Sequence, residues 1–309
     1  MLRTALLAAA RSPLARQVVE RTPLARPVVR RFVAGSSLAE AVEATAALVA
    51  DGRKVTLDHL GEDTTDAAQA AATVEAYRLL LTELGRARLA HSAEVSVKLS
   101  AVGQSLAKDG EKIALDNARQ ICEAAAAVGT TVTLDMEDHT TTDSTLGILS
   151  DLRVDFPSTG AVLQAYLRRT EQDCRDLSGA GSRVRLCKGA YKEPETVAYQ
   201  DKSEVDRSYV RCLRILMAGD GYPMVASHDP RLVAIAADLA DSLGRTPDTY
   251  EHQMLYGVRP QAQREIAAAG KTLRVYVPYG DQWYGYFMRR LAERPANVAF
   301  FLRSLATKS

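Results

Sequence analysis

Gly110-Glu-Lys-Ile-Ala-Leu-Asp-Asn-Ala-Arg-Gln-Ile-Cys-Glu-Ala-Ala-Ala-Ala-Val128, a single Gly129, then Thr130-Thr-Val-Thr-Leu-Asp-Met136 is the stretch on which the fold turns. Its first part is rich in Ala and Glu and reads as a helix; its second, dense in β-branched residues after a turn glycine, reads as a strand. The same alternation runs through the chain. Strands are expected at Lys54–Leu60, Glu94–Ser100, Thr130–Met136, Ala161–Tyr166, Val184–Cys187, Met224–Ser227, Thr249–Leu255 and Leu273–Val277. Helical stretches between them include Asp66–Leu84, Gly110–Val128, Glu204–Ala218 and Pro230–Leu243, and a further helix is expected over Ser37–Ala50. Eight strands, each followed by a helix, predict an α/β fold of the (β/α)8 TIM-barrel type. A doubly wound open sheet competes, but the count and the lack of a second domain favour closure. The reading divides the chain into a helical arm, 1–50, and a barrel, 51–309.

A chain of 309 residues, 47% apolar, is long enough to bury a barrel core. Its net charge of +1 gives no global sign of nucleic acid as a partner. Four dispersed cysteines (Cys122, Cys174, Cys187, Cys212) form no CxxC, and no secretory signal is visible, so reduced thiols in the cytoplasm are expected. No apolar run is long enough to span a bilayer. Residues 1–31 are different: Arg3, Arg11, Arg16, Arg21, Arg26, Arg30 and Arg31 face a single acid, Glu20, while the remainder is net acidic. Such a segment suits a transit peptide, a membrane-surface arm or a helical extension packed on the body, and periodicity does not separate them.

In a barrel of this type the chemistry lies at the C-terminal ends of the strands. Those ends carry Asp58, His59 and Glu62; Lys98; Asp135, Glu137, Asp138 and His139; Gln164; Arg185, Lys188 and Tyr191; Ser227, His228 and Asp229; Glu251, His252 and Gln253; then Tyr276 and Tyr279. Ionisable groups on strands need partners, because an unpaired buried charge costs several kcal/mol, so a shared polar pocket is expected. Metal-dependent hydrolysis would draw on Asp58, His59, His139, His228 and His252, but there is no HxH after the first strand and no HExxH. Schiff-base chemistry would use Lys98 or Lys188. A binding module would use the basic arm and leave the strand ends unexplained. Redox chemistry on a flavin is also open, although the absence of GxGxxG argues against a Rossmann site.

The C-terminal stretch Tyr286-Phe-Met-Arg289-Arg290-Leu-Ala-Glu293-Arg294-Pro-Ala-Asn297 puts Tyr286, Arg289, Arg290, Glu293 and Asn297 on one helix side and Met288, Leu291 and Val298 on the other. Adjacent guanidiniums suit a planar carboxylate or phosphate, whereas an exposed Arg289–Glu293 pair alone means little.

From Val55 onward the chain resembles the single-function bacterial proline dehydrogenases. The matching runs are Leu57-Asp-His-Leu-Gly-Glu62, Ser96-Val-Lys-Leu-Ser100, Leu134-Asp-Met-Glu-Asp138, Gln164-Ala-Tyr166, Arg185-Leu-Cys-Lys-Gly-Ala-Tyr191, Ser227-His228, Arg274-Val-Tyr-Val-Pro278 and the Tyr286–Asn297 helix. The resemblance implies a distorted barrel with FAD at the strand ends and the last helix over the mouth. It also implies oxidation of L-proline to Δ1-pyrroline-5-carboxylate, with hydride passing to the flavin and electrons leaving to a membrane quinone. Carried over, Arg289, Arg290 and Lys98 hold the proline carboxylate, Asp135 matches the family's active-site aspartate, and Tyr191, Leu255, Tyr276 and Tyr286 wall the ring. Glu62 and Arg289 form a gating ion pair. Arg185 lies beside the reactive flavin nitrogen, where positive charge favours hydride acceptance. Met136, Gln164, Lys188, Gly189, Ala190, Ser227, His228 and Glu293 match FAD contacts, and no metal is implied. Cys187 departs from a common valine and Asp229 from a frequent asparagine. A membrane acceptor would give the basic arm a use at the inner face of the cell membrane.

Overall fold

In the computed structural model, which describes residues 26–61 and 64–293, eight strands close into a parallel barrel in sequence order. They are β1 (Lys54–His59), β2 (Ala93–Val97), β3 (Val132–Leu134), β4 (Gly160–Gln164), β5 (Arg183–Cys187), β6 (Tyr222–Ala226), β7 (Glu251–Leu255) and β8 (Leu273–Tyr279). Closure is made by β8 against β1, in register from Lys54 opposite Arg274 to His59 opposite Tyr279. The helices are α1 (Arg26–Arg30), α2 (Leu38–Ala50), α3 (Ala67–Arg86), α4 (Gly110–Ala127), α5 (Thr142–Asp155), α6 (Thr170–Asp176), α7 (Lys202–Ala218), α8 (Pro230–Ser242), α9 (Pro260–Ala268) and α10 (Trp283–Glu293). The closed α/β barrel expected from the strand count is therefore observed.

The strand positions explain where the core sits. Val55, Leu57, Val95, Val97, Val132, Leu134, Val184, Leu186, Val275 and Val277 alternate along their strands and are buried with the helix faces in one large cluster. Alternation puts the intervening residues on the opposite face, inside the barrel, and those are largely polar. The apolar core thus lies between sheet and helices, leaving the lumen for charged groups. Strand β3 is shorter than the Thr130–Met136 expected, because the chain after Leu134 leaves the sheet; Asp135 still donates its N–H to Val97 O at 2.9 Å.

Local signals set the helix starts. Ser37 caps α2 in a reciprocal box, its Oγ accepting from Glu40 N (3.3 Å) and its own N–H donating to Glu40 Oε2 (3.2 Å). Asp66 caps α3, and Asp229 caps α8 just before Pro230. Tyr77 of α3 ties the tops of two strands together, donating to Ser96 O (2.6 Å) while accepting from His59 N (3.2 Å).

Two elements depart from a plain eightfold repeat. Helix α2 packs against both β1 and β8, with Ala41 and Leu48 in the principal core. It fills the flank beside the closing strands that the eighth barrel helix would otherwise occupy. The helix after β8, α10, joins a separate cluster with Val28, Val29, Phe32 and Val33, with Leu60 after β1 and with partly buried Val258 after β7. Leu60 and Val258 follow strand C-termini, so α10 lies at the mouth of the barrel. Residues 1–25, the bulk of the basic arm, lie outside the described residues. No helix among the described residues is long and apolar enough to cross a membrane.

Candidate active site

Side chains from six strands meet inside the barrel in one continuous ionic network. At its base Glu94 (β2) accepts from Arg183 Nη2 (β5) at 2.5 Å and faces Arg185 and Arg274 at 3.8 Å each. Thr56 and Thr133 hydroxyls also donate to it, at 2.9 and 3.2 Å. Glu251 (β7) takes Arg274 (β8) in a two-point pair, 2.6 and 3.1 Å. Burial opposes charge on Glu94, but the guanidiniums of Arg183, Arg274 and Arg185 outweigh it and hold the carboxyl down at about 2.

One layer higher, Arg185 is fixed on three sides. Its Nε donates to Gln253 Oε1 (2.6 Å), and its Nη1 to Asp135 Oδ1 (2.7 Å) and Ser96 Oγ (3.0 Å). Gln253 in turn donates to Glu251 (2.6 Å), linking the two layers. Tyr276 donates its hydroxyl to Asp135 Oδ2 (2.7 Å), and its ring lies 5.3 Å from the Arg185 guanidinium carbon. Burial, then the Asp135 charge, pushes the Tyr276 phenol well above its ordinary range, so it keeps its proton and can donate it to Asp135. Burial works against the charge on Arg185, but Asp135 and Glu94 more than compensate, and its affinity for its proton is raised.

The structure brings Lys98, Asp135, Arg185 and Tyr276 together, and it adds a residue the carry-over did not use. Lys98 Nζ lies 2.7 Å from Asp58 Oδ2 and 3.8 Å from Asp135 Oδ2, so Asp58 is its short partner. Asp58 is level with Ser96 across parallel β1 and β2, which places Lys98 one inward step further on. Glu94, Arg183, Glu251, Gln253 and Arg274 were likewise given no role. Their alternate spacing along strands was the sign that the lumen is polar.

The other expected residues are placed as follows. Gln164 is buried at the end of β4; its Nε2 donates to Glu137 O (3.0 Å), and its Oε1 has no hydrogen-bond partner among the described residues. Lys188 pairs closely with Asp206 and lies 3.5 Å from Asp229, so its charge is shared with two carboxylates. Gly189 has φ +108°, and a Cβ there would fall 2.4 Å from the Tyr166 ring, an intramolecular reason for glycine. Ala190 and Tyr191 are exposed, Tyr191 by 41%. Met136 and Ser227 are buried, and the Ser227 hydroxyl accepts from Asp229 N (3.1 Å). His228 Nε2 accepts from the N–H of half-buried Leu255 (2.9 Å), and its carbonyl accepts from Arg259 (2.7 Å).

On α10, Arg289 and Arg290 are half-buried, and the Arg290 guanidinium lies 5.0 Å from the centre of the Tyr286 ring. Tyr286, expected on the polar side, is buried within the apolar cluster and forms the seam between the two faces. Glu62, Asn297 and Val298 lie outside the described residues, as does the side chain of Glu293. The expected gate and the i,i+4 pair fall there too.

The histidines considered as metal ligands are engaged in packing and hydrogen bonds. His59 stacks edge-on against Tyr77 and Tyr279, His139 pairs closely with Glu193, and burial pushes His252 down to about 4. Among the described residues no group of three or more His, Cys, Asp or Glu is arranged to hold a metal ion.

These features define a TIM-type barrel whose charged lumen opens under a C-terminal helix bearing paired arginines. The proline dehydrogenase family model matches residues 41–303, and the chain belongs to that family. It is 39% identical over 309 residues to proline dehydrogenase from Deinococcus radiodurans, covering 98% of this chain and 97% of that protein. It is 37% identical over 279 residues to proline dehydrogenase 1 of Bacillus subtilis, covering 90% and 91%. Among solved structures, proline utilization A from Bdellovibrio bacteriovorus, inactivated by N-propargylglycine, superposes with a TM-score of 0.78 at 27% identity. That match covers 86% of this chain and 32% of the longer protein.

Proposed function

We propose that this chain is an FAD-dependent proline dehydrogenase that oxidises L-proline to Δ1-pyrroline-5-carboxylate and passes the electrons to a membrane quinone. The observation that carries the reading is Arg185: a buried guanidinium, fixed by Asp135, Ser96 and Gln253, in the mouth of a barrel of this family. One buried atom at the strand ends, Gln164 Oε1, lacks a hydrogen-bond partner among the described residues, which suits a flat, heteroatom-rich ring, as a flavin is. Met136, Gln164, Arg185, Lys188, Gly189, Ala190, Ser227, His228 and Glu293 would hold FAD, which when bound supplies the hydride acceptor.

The chain's own residues supply binding and orientation. Arg289, Arg290 and Lys98 bind the substrate carboxylate, the one permanent anion on proline, and thereby aim the ring carbon next to nitrogen. Asp58 and Asp135 hold Lys98 in place through ion pairs of 2.7 and 3.8 Å. Tyr191, Leu255, Tyr276 and Tyr286 enclose the ring and exclude water, with Glu62 and Arg289 closing the entrance. N-Propargylglycine is, like proline, a secondary amine bearing an α-carboxylate, so the inactivation of the Bdellovibrio protein supports the same substrate chemistry. The basic arm provides peripheral contact with an anionic membrane surface, where the quinone resides.

The test is the visible spectrum of the purified protein, recorded anaerobically before and after L-proline. A flavin spectrum that bleaches with proline supports cofactor, substrate and half-reaction together. One that persists refutes proline as substrate, and a protein that stays colourless after reconstitution with FAD refutes the redox reading.

A further inference from the structure

The arginine pair on α10 needs a support, and β8 offers little. Helix α10 follows β8 after only residues 280–282, with Gly280 at φ +122°, and it buries its apolar face in a cluster of its own. Of that cluster's buried members, Tyr284, Tyr286, Phe287, Met288 and Leu291 come from α10 itself. Val28, Val29, Phe32 and Val33 come from the N-terminal segment, and Leu60 is the only buried contribution from the strand ends among the described residues. Phe32 is 2% exposed, and its ring lies 6.5 Å from that of Phe287.

The N-terminal segment is itself fastened to the mouth. Ala34 N donates to Pro278 O and Gly280 N to Gly35 O, both at 3.0 Å, so residues 34–35 run beside the end of β8. At the β7–α9 turn, Gly257 (φ +70°) leaves room for the Arg31 carbonyl, which would lie 1.6 Å from a Cβ there. The segment therefore crosses the mouth as a strap, pinned at both sides, with α10 packed on it.

We propose that residues 28–35 position the carboxylate clamp, and that Phe32 is a positioning residue acting through Phe287 on Arg289 and Arg290. The inference rests on the reading of those arginines as the substrate clamp. Bidentate recognition tolerates small displacements poorly, so a loosened α10 weakens proline binding before it alters the reacting centre. This gives part of the N-terminal arm a role in binding substrate.

The test compares Phe32→Ala, Phe32→Leu and Arg289→Lys in the FAD-loaded protein. Phe32→Ala is expected to raise KM for proline at least tenfold while kcat stays within twofold, and Phe32→Leu to restore most of the loss. Trp283, the only tryptophan, sits on α10 with its ring 5.9 Å from that of Phe287. Its emission should shift to the red in Phe32→Ala, with or without substrate. A merely structural loss would lower kcat with the active fraction and leave KM alone; that outcome overturns the proposal. A raised KM in Arg289→Lys with an unchanged KM in Phe32→Ala also overturns it, while no change in Arg289→Lys overturns the clamp itself. Should Phe32→Ala not fold, Val29→Ala removes less from the same buried cluster and is held to the same criteria.

Discussion

Replacing Glu94 with glutamine should destabilise the barrel by about 3 kcal/mol at neutral pH, and the magnitude can be worked two ways. Glu94 is 2% exposed and faces Arg183 at 2.5 Å and Arg185 and Arg274 at 3.8 Å. Removing one partner from a buried pair typically costs about 3–5 kcal/mol, because a charge is left uncompensated. Independently, the carboxyl falls from 4.5 to about 2 on folding, and at about 1.4 kcal/mol per pH unit that gap is worth about 3 kcal/mol. The folded value is depressed, so the contribution is complete above pH 4.5 and declines as pH falls towards 2. By pH 3 the wild type should have lost about 2 kcal/mol through this group alone, a loss Glu94→Gln cannot show. Urea unfolding at pH 7, 5 and 3 would measure both effects. A neutral-pH difference under about 1 kcal/mol, or one that does not narrow on acidification, would refute the view that Glu94 anchors the guanidiniums.

Asp58→Asn should cost about 3 kcal/mol by removing the short partner of buried Lys98, and Asp58→Asn with Lys98→Met should recover most of it; an additive double mutant in urea unfolding would show that the 2.7 Å pair does not couple. Arg289→Lys should raise KM for proline by about tens of fold, because lysine lacks the planar fork; an unchanged KM would place carboxylate recognition elsewhere. Tyr276→Ser removes a bulky phenol together with its hydrogen bond to Asp135. It should widen substrate choice towards hydroxyproline, and equal losses of kcat/KM on proline and hydroxyproline would count against that.

How much was legible depended on whether a feature was local. Strands rich in β-branched residues, and helices announced by Ser37, Asp66 or Pro230, were found within a few residues because propensity and capping act over one turn. Lys98 and Asp135, expected together from matching runs of sequence, do lie together, 3.8 Å apart. The Lys98–Asp58 pairing was missed because it depends on the register between β1 and β2, which no single strand encodes. The position of α10 was also beyond local signals. Its apolar face is evident in sequence, but what covers it, residues 28–33, lies some 250 positions away.

The barrel interior departs from the usual rule for this fold, as the ionisable groups on its strands led us to expect. Lumen residues of such barrels are usually branched and apolar. Here Thr56 and Asp58, Glu94 and Ser96, Arg183 and Arg185, Glu251 and Gln253, and Arg274 and Tyr276 form inward polar rows, while the outward rows carry Val and Leu. Such a lumen contributes little hydrophobic stabilisation, and buried ion pairs are weak evidence of stability, so packing of the outer layer must hold the fold. What the rows provide is rigidity around one group. Each hydrogen bond to Arg185 is backed by another residue: Gln253 by Glu251, Ser96 by Asp135, and Asp135 by Tyr276. A guanidinium held this way cannot turn towards water or swing with the charge of a passing substrate. On the proposed function, its charge would already be oriented when the flavin binds, the condition for electrostatic catalysis without reorganisation. The fold therefore gives up an apolar centre and keeps a buried guanidinium held in place by its own hydrogen-bond partners.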